Sequence, residues 1–293
     1  MPEHPVPEEP VLIEPGELAT LLDGDRPPVL ADVRWVLGGP PQQAAYEEAH
    51  LPGAHWVDLE AVLTSPPGSG GRHPLPPAQV FEAAMRRIGL DGNALLVAYD
   101  AANSQAASRL WWLLTDAGHR RVRVLNGGLA AWQRAGLPTV SGPSPAVRPG
   151  DFVVRPGQRP QFNGAQLHGG LESATAPLLV DVRAAERYSG ESESIDPVAG
   201  HIPGAINLPS MANVDETGRF LDRAQLRERY SAAGAAHGAV LYCGSGITAA
   251  HSLLAMESAG LTAAIYPGSW SEWITDPDRP VAVGQNRDAT PGP

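Results

Sequence analysis

Six short apolar runs punctuate the chain. Val29 to Val33, Leu95 to Tyr99 and Arg121 to Leu125 lie in its first half; Leu178 to Val182, Ala239 to Tyr242 and Ala263 to Tyr266 lie in its second. Their apolar residues are largely continuous rather than alternating with polar ones, which predicts strands buried on both faces of a sheet. Between them the period changes to that of a helix. Ala78 to Arg87 carries an apolar stripe of Val80, Phe81, Ala84 and Met85. Gln105 to Ala117 ends before Gly118, Ala224 to Ala233 before Gly234, and Thr248 to Ala259 before Gly260. Each glycine suits the left-handed residue that closes a helix. Strands alternating with helices predict an α/β chain with mainly parallel sheets, whose ligands sit outside the carboxyl ends of the strands.

The pattern occurs twice. Val29-Leu30-Ala31-Asp32-Val33-Arg34 matches Leu178-Leu179-Val180-Asp181-Val182-Arg183, and His50-Leu51-Pro52-Gly53-Ala54 matches His201-Ile202-Pro203-Gly204-Ala205. Leu96 to Asp100 parallels Ala239 to Cys243, and Gly127-Gly128-Leu129-Ala130-Ala131-Trp132 parallels Gly268-Ser269-Trp270-Ser271-Glu272-Trp273. Four matches in one order, with a period of about 150 residues, indicate a duplicated domain rather than a solenoid. Residues 141–161, rich in proline and glycine and without apolar periodicity, read as the linker between domains at 1–140 and 162–293.

Composition narrows the class. The chain has 293 residues, 43% of them hydrophobic and 18% charged, enough for two cores. A single cysteine excludes an intramolecular disulfide and a cysteine-cluster metal site, and it fits a reducing compartment. No apolar run is long enough for a membrane span, and the opening MPEHPVPEEP lacks the features of a signal peptide, so a cytoplasmic location is expected. A formal net charge of −11 argues against general binding to nucleic acid or anionic membrane.

That cysteine, Cys243, sits where the run Ala239 to Tyr242 breaks into Gly244-Ser245-Gly246 before a helical stretch. A strand delivering a thiol into a glycine-rich turn leaves backbone N–H groups free to face the sulfur, with a helix N-terminus behind. Such a cradle favours thiolate and holds anionic substrates, although a lone cysteine is also a common buried core residue. Gly244, Gly246 and Ala249 spell a dinucleotide fingerprint, but the next strand, Ala263 to Tyr266, lacks the acidic residue that fingerprint needs. A cysteine phosphatase or arsenate reductase needs an arginine six residues after the cysteine, where this chain has Ala249.

The D-V-R and H-x-P-G-A elements, the C-G-S-G-I-T loop and the G-S-W-x-E-W end, spanning nearly the whole chain, resemble the tandem rhodanese-domain sulfurtransferases. The resemblance implies two rhodanese-like domains. The first is catalytically silent, with Asp100 where the second has Cys243. It also implies a mechanism without a cofactor, in which Cys243 takes a sulfur from a donor as a persulfide and passes it to a nucleophilic acceptor. The acceptor stays open among cyanide, small thiols and thioredoxin. C-G-S-G, rather than the C-R-K-G of enzymes favouring thiosulfate, resembles the 3-mercaptopyruvate branch. There the resemblance gives Ser245, His73 and Glu60 catalytic roles, with glutamate replacing the usual aspartate. It makes Arg187 a donor-binding residue alongside the loop positions Gly244, Gly246, Ile247 and Thr248. A second arginine expected after Arg187 has no counterpart in Ser192 to Asp196, and this acidic segment is expected to hold off anionic donors, so thiosulfate or another persulfide donor stays open too. The rival reading is a non-catalytic binding or sulfur-carrier module.

Other residues have structural readings. His50 and His201 recur in both halves and fit turns. Asp32 with Arg34, and Asp181 with Arg183, read as charge pairs fixing loops. Trp111, Trp112, Trp132, Trp270 and Trp273 read as core or interface aromatics.

Overall fold

A computed structural model describes residues 10–285 apart from Glu172 and Ala174. The first half forms a sheet of β1 (Leu12–Ile13), β2 (Val29–Asp32), β3 (His55–Trp56), β4 (Leu96–Tyr99) and β5 (Val122–Leu125), in the order β1-β5-β4-β2-β3. The second forms a sheet of β6 (Leu179–Asp181), β7 (Ile206–Asn207), β8 (His237–Tyr242) and β9 (Thr262–Ile265), in the order β7-β6-β8-β9. Every strand pairing within these sheets is parallel, as continuous apolar runs require when both faces are covered. The predicted strands are all present, with ends shifted by one or two residues. The two-residue strands β1, β3 and β7 carry too little pattern to be foreseen.

Four helices match the expected stretches: α1 (Ala78–Arg87), α2 (Gln105–Asp116), α4 (Arg223–Ala232) and α5 (Ile247–Ser258). Between and after them, α3 (Gly128–Arg134) and α6 (Ser269–Trp273) follow the last strand of each sheet. Gly118, Gly234 and Gly260 all have positive φ just beyond a helix end, as the capping argument requires. Helices α2 and α5 pack against each other across the domain boundary. Ten of the twelve residues in each are buried, so each is enclosed on nearly every face. Ala106, Ala107 and Leu110 of the first domain share one core cluster with Ala249, Ala250 and Leu253 of the second. All five tryptophans read as core residues are at most 1% exposed.

The segment 141–161 is more than a spacer. Phe152 is buried, its N–H bonds the Leu90 carbonyl, and Arg159 pairs with Glu257 of α5. Gln161 bridges Ile265 in parallel, occupying beside β9 the place that β1 occupies beside β5. Among the described residues, no helix is long and apolar enough to cross a membrane.

Candidate active site

Both halves use the same frame to hold the loop after the central strand. Asp32 and Asp181 each take a forked bond from the arginine two residues on, while that arginine also reaches a carbonyl of the following loop, Ala49 or Gly200. His50 and His201 bond the carbonyls of Tyr46 and Tyr188 through Nδ1 and stack on the same tyrosine rings. These histidines are buried framework, as their recurrence in the half without a cysteine suggests.

The loops differ in the group they enclose. In the first domain the Asp100 carboxylate accepts N–H bonds from Ala102, Ser104, Ala106 and Ala107 at 2.9–3.3 Å. Burial pushes its pKa up, and those four N–H groups pull it back. In the second domain Cys243 follows β8, is 1% exposed, and accepts the Gly246 N–H at its Sγ, 3.1 Å away. Gly246 has a φ of +82° and lies against the Pro267 carbonyl, so neither the conformation nor the space admits a side chain.

The loop is clamped from behind by the segment leading into α6. Trp270 and Ser271 donate N–H bonds to the Cys243 and Gly244 carbonyls, as Leu129 and Ala130 do to Asp100 and Ala101. Ser269 takes the left-handed conformation that its counterpart Gly128 adopts without cost. Its hydroxyl compensates by accepting the Cys243 N–H at 3.1 Å, and it lies 3.9 Å from Sγ. Sequence reasoning missed Ser269, although the mismatch of serine with glycine in the repeat was a visible signal.

The first domain completes the site. His73 Nδ1 is 2.6 Å from Ser245 Oγ, and its Nε2 is 3.3 Å from Glu60 Oε1. The Trp35 indole N–H bonds the same Glu60 oxygen at 2.8 Å. Glu60 reaches His73 because it sits in the first turn of a short helix, Leu59–Val62, which Asp58 caps. Burial lowers the His73 pKa, with Arg72 and Arg109 adding to that effect and Glu60 opposing it. A neutral His73 whose Nε2–H points at Glu60 has its Nδ1 lone pair free to accept the Ser245 hydroxyl proton.

Arg187 bonds Glu193 and Asp196. The acidic segment, expected to repel anionic donors, is instead paired: Glu193 with Arg183 and Arg187, and Asp196 with Arg187 and Arg72. Arg72, from the first domain, is a second residue beside the loop that sequence reasoning overlooked. A side chain on Gly244 would meet Arg72 Nη2 at 2.6 Å and Arg187 Nη1 at 3.3 Å, so glycine at this position lets two guanidinium groups approach the cysteine loop. A second arginine beside the loop thus comes from the other domain, from the segment that also carries His73. Of the remaining loop positions, Ile247 packs into the core and Thr248 is half-buried at the start of α5.

The rhodanese-like domain family matches residues 14–135 and again residues 164–276. The chain is 42% identical over 283 residues to a Mycobacterium tuberculosis protein named "Putative thiosulfate sulfurtransferase SseB", covering 94% of this chain and 97% of that protein. It is 45% identical over 264 residues to the "Probable 3-mercaptopyruvate sulfurtransferase" of Pseudomonas aeruginosa, covering 87% and 92%. Among solved structures, that of Escherichia coli SseA, described as a 3-mercaptopyruvate sulfotransferase, superposes with a TM-score of 0.77 at 29% identity, over 90% of this chain and 100% of that one. Two domain matches and relatives aligned over almost their full length establish the family: the chain is an enzyme of the tandem rhodanese-domain sulfurtransferases.

Proposed function

We propose that the enzyme moves a sulfane sulfur from 3-mercaptopyruvate to a thiophilic acceptor such as cyanide or a thiol, through a persulfide on Cys243. The observation that carries this reading is the Glu60–His73–Ser245 chain, assembled across the domain boundary beside the cysteine. A donor whose leaving group is a carbanion needs a proton, and this chain is built to move one.

In the proposed cycle Arg187 and Arg72 orient the donor carboxylate, and the Cys243 thiolate attacks the donor sulfur. The S–S bond forms as the carbon–sulfur bond breaks, and the electron pair leaves with carbon as the pyruvate enolate. The donor's thiol proton passes through the Ser245 hydroxyl to His73 Nδ1, where Glu60 stabilises the imidazolium, and returns along the same path to carbon. Pyruvate departs and Cys243 keeps a persulfide anion. The acceptor then attacks the outer sulfur, and the thiolate is restored with no net redox change.

Thiosulfate is the second reading, favoured by the paired arginines, which suit a dianion, and by the name of the mycobacterial relative. The test is mass spectrometry of the intact protein after incubation with each donor. Cys243 is expected to be heavier by one sulfur atom, and no adduct with any donor would leave the non-catalytic carrier or binding module as the better account. Turnover with cyanide then ranks the donors, and a large preference for thiosulfate would overturn the choice of 3-mercaptopyruvate.

A further inference from the structure

We propose that Arg109, a residue of the silent first domain, is the buried counter-charge of the Cys243 thiolate and the positioning residue for the loop that carries it. The inference rests on the reading of Cys243 as a nucleophile. Arg109 is the fifth residue of α2 and is 0% exposed. Its hydrogen bonds go only to carbonyls, those of Leu63, His73 and Gly246, at 3.2–3.4 Å. These are long bonds for a guanidinium, and no carboxylate among the described residues pairs with it. A buried cation so poorly compensated is costly unless an anion lies near, and the field of the Cys243 sulfur reaches it. Burial pushes its pKa down only to about 10, so the charge persists at neutral pH.

Two geometric facts connect this charge to the chemistry. Gly246, whose carbonyl accepts from Arg109, is the residue whose N–H bonds the Cys243 sulfur. Arg109 also holds the carbonyl of His73, so one side chain fixes the cysteine loop and the histidine loop relative to each other. The repeat makes the point sharper. The fifth residue of α5 is His251, which is fully buried, stacked on Phe220, and pushed by burial to a pKa of about 4, hence neutral. Of these two equivalent positions in the paired helices, only the one reaching toward the cysteine carries charge. Of the other charged groups around the loop, Arg72 and Arg187 pair with Asp196 and Glu193, while Glu60, beside neutral His73, is half-exposed and screened by solvent.

The experiment compares Arg109→Met and Arg109→Lys in the full chain, reading alkylation of Cys243 by uncharged iodoacetamide against pH. Loss of the charge should move the alkylation midpoint upward, so that Arg109→Met reacts about tenfold more slowly near pH 7, while Arg109→Lys stays within about threefold of the unsubstituted enzyme. A folded Arg109→Met with the unsubstituted profile would overturn the proposal, as would Arg109→Lys falling as far as Arg109→Met. Should Arg109→Met fail to fold, the thermal midpoints of the unsubstituted chain and Cys243→Ser decide. A thiolate that offsets a buried cation makes their difference grow as pH rises toward the ordinary thiol range, about 8.5, and a constant difference would refute it. Alkylation needs no sulfur donor, so a failure here is distinct from a failure to form the persulfide.

Discussion

Replacing Ser245 by alanine should separate the two donors. The hydroxyl is 2.6 Å from His73 Nδ1 and belongs to a residue only 7% exposed, so the change removes one buried group without opening the core. With 3-mercaptopyruvate the leaving carbon must be protonated. Loss of a positioned proton relay costs a factor of roughly 10² to 10⁴, or about 3–5 kcal/mol of transition-state stabilisation. With thiosulfate the leaving group is sulfite, a stable anion that needs no proton. The same substitution then removes only one neutral hydrogen bond, worth about 1 kcal/mol or roughly fivefold. The ratio of the two activities should therefore shift by at least about twentyfold toward thiosulfate. Initial rates of thiocyanate formation from cyanide, with pyruvate release followed in parallel, provide the comparison. Equal losses on both donors would show that Ser245 shapes the loop rather than moves a proton, and would remove the main support for 3-mercaptopyruvate.

Four further outcomes test the surrounding residues. His73 has a lowered pKa and acts as the neutral base, so kcat with 3-mercaptopyruvate should hold near neutrality and fall as pH drops below the ordinary imidazole range. In Glu60→Gln the rate should drop about tenfold and this acid limb move lower, because the carboxylate that favours the imidazolium is gone; an unmoved limb in the pH–rate profile would exclude Glu60 from the relay. Arg72→Met should raise KM for either donor about tenfold with little change in kcat, since a donor-orienting charge is lost; steady-state kinetics decide. His251 is fully buried, and burial outweighs the Asn103 backbone contact, so its folded pKa lies below its unfolded one. The fold therefore loses stability as pH falls from about 6.5 toward about 4, by at most about 3 kcal/mol, and His251→Leu should abolish that loss in urea melts.

How much of this was legible depends on where the information lies along the chain. The central strands and α1, α2, α4 and α5 are long enough to express a period, and their closing glycines mark the ends. Strands β1, β3 and β7 are two residues each and are held by pairing alone, so nothing local announces them. Gln161 is the extreme case, a single bridging residue in a segment whose composition says only linker. Cys243 and its loop were visible because strand, glycines and helix are contiguous. Glu60 and His73 were found through resemblance, not through spacing, since their meeting with Ser245 is made by the docking of two domains. Arg72 and Arg109 lay in plain view as charges, but the sequence assigns a charge no partner. The acidic stretch from Glu193 to Asp196 misled for the same reason: its repulsion disappears once arginines from two domains close on it.

The duplicated loops hold their two side chains, Asp100 and Cys243, in different ways. Both turns point backbone N–H groups at whatever side chain follows the central strand, so both are anion cradles irrespective of chemistry. In the first domain four N–H bonds saturate the two oxygens of Asp100, leaving a compact carboxylate whose lone pairs are all engaged. In the second, the one-residue-shorter approach to the helix, with Gly246 at its start, leaves Sγ with a single N–H bond and a distant hydroxyl. A nucleophile must stay under-coordinated to attack, yet an under-coordinated thiolate is poorly stabilised. A long-range charge resolves that conflict where another short hydrogen bond would not, because a cation lowers the energy of the anion without occupying the lone pair that reacts. Arg109 satisfies this requirement, held behind the loop by carbonyls of Leu63, His73 and Gly246. The first domain, with a carboxylate where the second has its thiol, thus contributes Arg109, His73 and Arg72 to the surroundings of the cysteine loop.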